Sequence, residues 1–157
     1  MDLQQEVLHV TKNNALQAYK ETDHNGKYLL VNLFGKKHFI ENMMELIDSF
    51  EAACEYNNTN PLSPRFTQGT EAGIALEQLA EIAKALNAGK VMKPNEKRYY
   101  GYFIDDESGF RLDSVYYAFD SSGSSGGPRL CCLSEPLARY MCTKFLPIFN
   151  KFLNPAE

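Results

Sequence analysis

A few residue groups have types and spacing that bear on chemistry. Asp105-Asp106-Glu107 is the densest acidic run. Carboxylates of this kind can ligate a divalent cation, but calcium loops spread their ligands over a longer segment with a defined turn. This run ends at once in Ser108-Gly109, so it is expected to be a solvated hairpin tip. Arg98, Arg111 and Arg129 fall on three proposed strands. Converging there, they would form an anion pocket, because guanidinium forks match phosphate and carboxylate oxygens. The competing expectation is salt bridging to Asp105, Glu107 or Asp113. Arg129 is the strongest anion candidate: it borders the Ser/Gly run 121–127 and the start of a helix, where anions bind readily. The four cysteines, Cys54, Cys131, Cys132 and Cys142, contain no C-x-x-C pair, and free thiols are expected. His9, His24 and His38 show no metal-ligand spacing. No phosphate loop, paired-acid motif or serine elbow is present. No catalytic residue, metal or cofactor is therefore assigned, and a non-enzymatic protein is expected.

The aromatic residues are the other chemical resource. Arg98-Tyr99-Tyr100-Gly101-Tyr102-Phe103 partly matches the base-stacking strand of RNA-recognition modules. Tyrosine rings on such a strand stack on unpaired bases at about 1–3 kcal/mol each, and a flanking arginine neutralises phosphate. Tyr99 stands where glycine is needed and Asp105 where an aromatic is needed, and the element order also differs. The aromatic set is expected mainly to pack under the last helix. A solvent-facing row with Tyr100, Tyr102 and Tyr117 would suit a protein partner, since tyrosine is enriched at interfaces.

These groups need a scaffold, and the composition bounds it. At 157 residues one domain, 1–157, is expected. A chain of this length buries about 70% of its unfolded surface without help from metals or disulfides. Hydrophobic residues make up 44% and charged residues 23%, with a net charge of −4. That balance argues against a basic nucleic-acid module. No apolar run approaches the ~18 residues of a membrane span. The opening MDLQQEVLHV lacks the basic and apolar regions of a signal peptide, so a cytoplasmic protein is expected.

The periodicities predict α+β architecture: a helical N-terminal half, a small antiparallel sheet of about three strands, and a long C-terminal helix packed on it. Thr11 is placed to cap KNNALQAYKET, and Gly35 to end a helix with an apolar face of Leu29, Leu30, Leu33 and Phe34. ENMMELIDSFEAACEY continues the helical pattern, with a bend at Asp48-Ser49. The stretch 57–69, broken by Pro61, Pro64 and Gly69, reads as a loose loop. Thr70 caps the longest helix of this half, whose stripe is Leu76, Leu79, Ala80, Ala83 and Leu86. Strands follow at 98–104, 110–119 and 129–133, the middle one with Phe110, Leu112, Ser114, Tyr116 and Ala118 alternating against the rest. Ser134 caps the closing helix, whose stripe runs through Leu137, Met141, Phe145, Ile148, Phe149 and Phe152. Pro147 should kink or break it near Thr143.

TKNNALQAYKETDHNGKYLLVNLFGKKHF, IDSFEAACEY, IAKALNAG, YYGYF, SGFRL and PRLCCLSEPLARYMCTKFLPIFNKFL together resemble a family of small uncharacterised proteins from bacteriophages and mobile elements of gut Bacteroidales. The resemblance runs in order over nearly the whole chain. It departs at KVMKP, where relatives carry Trp, and at PRLCCLSEPL, where they read S-R-L-C-F-K-S-x-E-L. It implies origin more than activity. The expected function is an interaction protein of a phage or mobile element that binds a host or phage protein, self-associates, or joins a virion. Two alternatives stand beside it. One is a binder of a small anion or nucleotide through Arg111, Arg129 and the Ser/Gly run. The other is a binder of single-stranded nucleic acid.

Overall fold

The computed structural model describes residues 10–93, 96–119 and 128–154. The Ser/Gly run 121–127 and His9 lie outside them. Backbone contacts divide the chain into two compact units, 1–42 and 43–157.

The first unit holds α1 (Lys12–Glu21), α2 (His24–Phe34) and a 3-10 turn (Lys36–His38). Thr11 caps α1, its hydroxyl accepting from the Asn14 amide at 3.3 Å. Asp23 does the same for α2, accepting from Gly26 N at 2.8 Å. Asp23 is thus the cap of α2, and His24, Asn25 and Gly26 form its first turn. Gly35 stops α2 at φ 83°, as expected. Tyr19 stacks on Phe39 at 4.7 Å, and Phe34 meets Phe39 edge-on at 6.3 Å. The apolar face predicted for α2 is only half used. Leu30 and Phe34 are partly covered, whereas Leu29 and Leu33 are exposed.

The second unit is built around α6 (Glu71–Leu86), capped by Thr70 accepting from Gly73 N at 3.2 Å. Its buried residues are Ala75, Leu79, Glu81, Ile82, Ala83, Ala85 and Leu86. This is wider than one amphipathic stripe, because α6 packs against several helices. These are α3 (Met43–Leu46), α4 (Phe50–Asn57), α5 (Pro64–Thr67) and, later in the chain, α8 (Leu146–Leu153). The bend expected at Asp48-Ser49 separates α3 from α4, and Ser49 caps α4 through the Ala52 amide at 3.1 Å. The stretch 57–69 contains α5, whose Phe66 is buried edge-on against Phe50 at 4.9 Å.

Strands β1 (Lys97–Asp105) and β2 (Phe110–Phe119) form an antiparallel hairpin. Tyr102 pairs with Ser114 but Phe103 with Leu112, so Asp113 is an extra residue bulged out of β2. The bulge corrects the strict alternation expected for this strand. Leu112 joins Val115 and Tyr117 opposite Phe103, Gly101 and Tyr99, while Ser114 and Tyr116 take the other face. The inner face meets α7 (Glu135–Lys144) and α8. Phe103 packs on Phe149 with ring centroids 4.7 Å apart. Glycine at 101 is what lets α7 approach: an added Cβ would lie 2.5 Å from Cys142 Sγ.

Among the described residues the sheet has two strands, not about three. The segment after the 3-10 turn Pro128–Leu130 makes a single bridge, in which Cys132 exchanges both backbone bonds with Tyr99 at 2.8 and 2.9 Å. An extended segment sends its neighbouring residues' polar groups to opposite sides. Here the other side is taken by a side chain. Asn87 Nδ2 donates to Cys131 O, and Asn87 Oδ1 accepts from Leu133 N, both at 2.9 Å. Ser134 then starts α7. The closing helix breaks as Pro147 requires. Phe145 N closes α7 on Met141 O, and Phe149 N opens α8 on Phe145 O. Proline sits in the first turn of α8, where no amide is needed. Met141, Phe145 and Phe149 are buried, as the stripe predicts.

Gly101→Ala should lower stability to urea by about 1–3 kcal/mol, the usual range for overpacking. Adding Cys142→Ala removes the clashing sulfur, so the double variant should lose less than the sum of the two single changes. Strict additivity would show that Gly101 is not the point of close approach.

Candidate functional site

Two regions gather polar or aromatic groups: the hairpin face turned away from α7 and α8, and the loop side of α6. On the hairpin, Tyr100 pairs across the strands with Tyr116, with ring centroids 6.4 Å apart. Tyr102 meets Tyr116 edge-on at 5.7 Å. Tyr102 is 51% exposed and Tyr116 49%. The rings hold one another in place while half of each remains in water. Tyr117 lies on the opposite face and is 54% exposed. It touches Tyr99 at 6.0 Å and Phe119 at 5.8 Å, and Lys97 Nζ sits 4.5 Å from its centroid. The predicted set Tyr100, Tyr102 and Tyr117 is thus divided between two faces. Tyr116, assigned no role from the sequence, is the centre of the outer cluster. The bulge at Asp113 decides which residues share its face, and no residue pattern announces it.

The predicted arginines are placed separately. Arg98 pairs with Ala118 and Arg111 with Ile104, which puts them about 20 Å apart along the hairpin at the usual strand rise. Arg98 is buried. Arg111 Nε is 2.9 Å from Asp106 Oδ2, at the acidic hairpin tip. Asp106 also accepts from the Ser108 hydroxyl at 2.6 Å. That bond is the main cause that holds the carboxyl below its ordinary range; desolvation opposes it, and the Ser108 amide and Arg111 add to it. Arg129 Nη2 is 2.9 Å from Glu77 Oε1 on α6.

The loop side of α6 holds a charge that sequence reasoning missed. Glu81 is 3% exposed. Its Oε1 accepts from Thr59 Oγ1 at 2.7 Å and from Asn57 Nδ2 at 2.9 Å. Its Oε2 is bound by Arg65 Nη2. Burial raises the carboxyl's pKa, but the Thr59, Asn57 and Arg65 contacts outweigh it and leave the pKa lowered. Glu81 is therefore ionised, with donors on both of its oxygens. It looks like one more solvent-facing glutamate in EQLAEIAK; the only clue is its place among buried positions Leu79, Ile82 and Ala85.

Cysteine chemistry is suppressed. All four thiols are free and buried. Burial, with Glu81 nearby, pushes Cys54 up to about 11. Burial pushes Cys142 up to about 12, and raises Cys132 as well. Such thiols stay protonated at neutral pH and are poor nucleophiles. Among the described residues no group of three His, Cys, Asp or Glu side chains is arranged to hold a metal ion. Among them, no helix is long and apolar enough to cross a membrane. No family model, curated protein or solved structure matches the chain.

Glu81→Gln should destabilise the protein by about 2–3 kcal/mol, because charge-assisted hydrogen bonds are lost and donors are left facing an amide nitrogen. The folded carboxyl has a lowered pKa, so its contribution is present above the ordinary glutamate value of 4.5 and fades as pH falls through the folded value. Urea titrations at pH 7 and at pH 3 should show the gap between wild type and variant shrinking at the lower pH. A gap that stays constant would mean that the carboxylate charge is not what holds the loop.

Proposed function

We propose that this chain is a non-enzymatic interaction protein of a phage or mobile element. It binds a protein of the phage or of its bacterial host through the outer hairpin face. The observation that carries this reading is the cluster of Tyr100, Tyr102 and Tyr116, mutually packed yet half exposed. Rings already held in place lose little side-chain freedom on binding, and tyrosines of this kind act as anchors at interfaces. β2 offers more: among the described residues its edge away from β1 carries no third strand beyond Phe110, which Asn150 occupies, and so can add an extended segment of a partner. The raised thiol pKa values support a role other than cysteine-based catalysis. The resemblance of the quoted stretches supports the phage or mobile-element origin, and a location in the bacterial cytoplasm or in a virion goes with it. Stacking of single-stranded nucleic acid would use the same rings. The face offers it weaker phosphate contacts, since Arg111, opposite Ile104, is already engaged by Asp106.

The test is affinity capture from host lysate, with and without phage, by wild type and by the Tyr102→Ala/Tyr116→Ala variant. Cross-strand aromatic pairs contribute about 0.2–1 kcal/mol each, so the variant should stay folded by circular dichroism. A captured protein should fall at least about tenfold with the variant, as loss of anchors worth about 2 kcal/mol requires. Tyr28→Ala should leave it unchanged. Equal capture by wild type and variant would overturn the assignment. Retention of an oligothymidine at low salt, lost with the same variant, would give the face to nucleic acid instead.

A further inference from the structure

We propose that a cleft at the C-terminal end of α6 binds a small organic phosphate. This is independent of the hairpin reading. The cleft has a volume of about 380 Å³, within the usual small-molecule range of about 300–1,000 Å³. Its lining brings together Arg65, Lys84, Lys90 and Arg129 in a chain whose net charge is −4. These cations come from four places: α5, the last turn of α6, the connector after it, and the 3-10 turn Pro128–Leu130.

Two of the cations are already held in position. Arg65 is fixed by Glu81, and Arg129 by Glu77 at 2.9 Å. Each of these contacts uses one Nη2 and leaves other N–H groups of the guanidinium fork to donate. Lys84 and Lys90 are exposed, and no ion pair engages them among the described residues. The two carboxylates offset the two arginines. The two lysines remain, and together they match a dianion.

One effect opposes this. A helix C-terminus carries partial negative charge and repels anions. Here three of the last four carbonyls are covered: Asn87 N donates to Ala83 O at 3.0 Å, Ala88 N to Ala85 O at 2.8 Å, and Gly89 N to Lys84 O at 2.9 Å. Gly89 has φ 69°, and a Cβ built there meets nothing within 4 Å, so its side of the cleft is open. Met92 and Ala80 give the lining an apolar part. A bare phosphate leaves that part unused, whereas a phosphate ester fills it. Guanidinium forks and ammonium groups together favour a phosphoryl group over a single carboxylate.

The test is calorimetric titration of the full chain at low salt with adenosine monophosphate and, separately, with inorganic phosphate. Adenosine monophosphate should bind, and more tightly than inorganic phosphate. Lys84→Ala/Lys90→Ala, at exposed positions that leave the Glu81 contacts intact, should weaken it at least about tenfold. Lys144→Ala/Lys151→Ala removes the same charge outside the lining and should change it less than about twofold. The proposal fails if neither probe binds at millimolar concentration, or if both lysine pairs weaken binding equally. It also fails if inorganic phosphate binds as tightly as the nucleotide.

Discussion

Glu81 carries a full charge in α6, a helix packed against several others. A buried carboxylate without partners is costly, and breaking such a pair destabilises more than making it stabilises. Position 81 sits among buried neighbours because α6 is packed by α4, α5 and α8. The donors must therefore come from chain that can reach it. Asn57, Thr59 and Arg65 supply them from a stretch whose prolines prevent regular pairing. One ionised group thus orders a loop, seats α5, and sets Arg65 at the lip of the cationic cleft.

Two asparagines solve a related problem for the sheet. A two-stranded hairpin is marginal by itself. Asn150 on α8 accepts from Phe110 N at 2.6 Å and donates to Phe110 O at 3.0 Å, so a side-chain amide stands in for a neighbouring strand. Asn87, just past α6, does the same for Cys131 and Leu133. Asn87 ties its segment to the end of α6, and Asn150 ties the hairpin to the middle of α8. Together they keep the hairpin and the segment 131–133 attached to the helices where strand pairing runs out.

The hairpin's two faces then have different tasks. Inward, Phe103 and Gly101 receive α8 and α7. Outward, Tyr100, Tyr102 and Tyr116 have no helix to cover them and instead pack on one another. The bulge at Asp113 decides this division by moving Leu112 inward and leaving Tyr116 out. The helices cover one face of the hairpin, and on the other face Tyr102 and Tyr116 remain about half exposed.

Local chemistry was legible in the residues themselves. The caps Thr11, Ser49 and Thr70 need only a hydroxyl before a helical run, and the Gly35 stop needs only freedom at positive φ. The break at Phe145 follows from the missing amide of Pro147. The α+β class and the burial of Met141, Phe145 and Phe149 follow from periodicity. The residues did not show where side chains from distant segments meet. Glu81 with Arg65, Asn87 with Cys131, and Asn150 with Phe110 join parts of the chain far apart in sequence. Polar side chains of this kind read as surface until packing removes the water around them. Only the tertiary structure decided that these were buried, that the third strand ended as one bridge, and that the tyrosines separated onto two faces. Burial and register are properties of what lies opposite a residue, which its own neighbours in sequence do not contain.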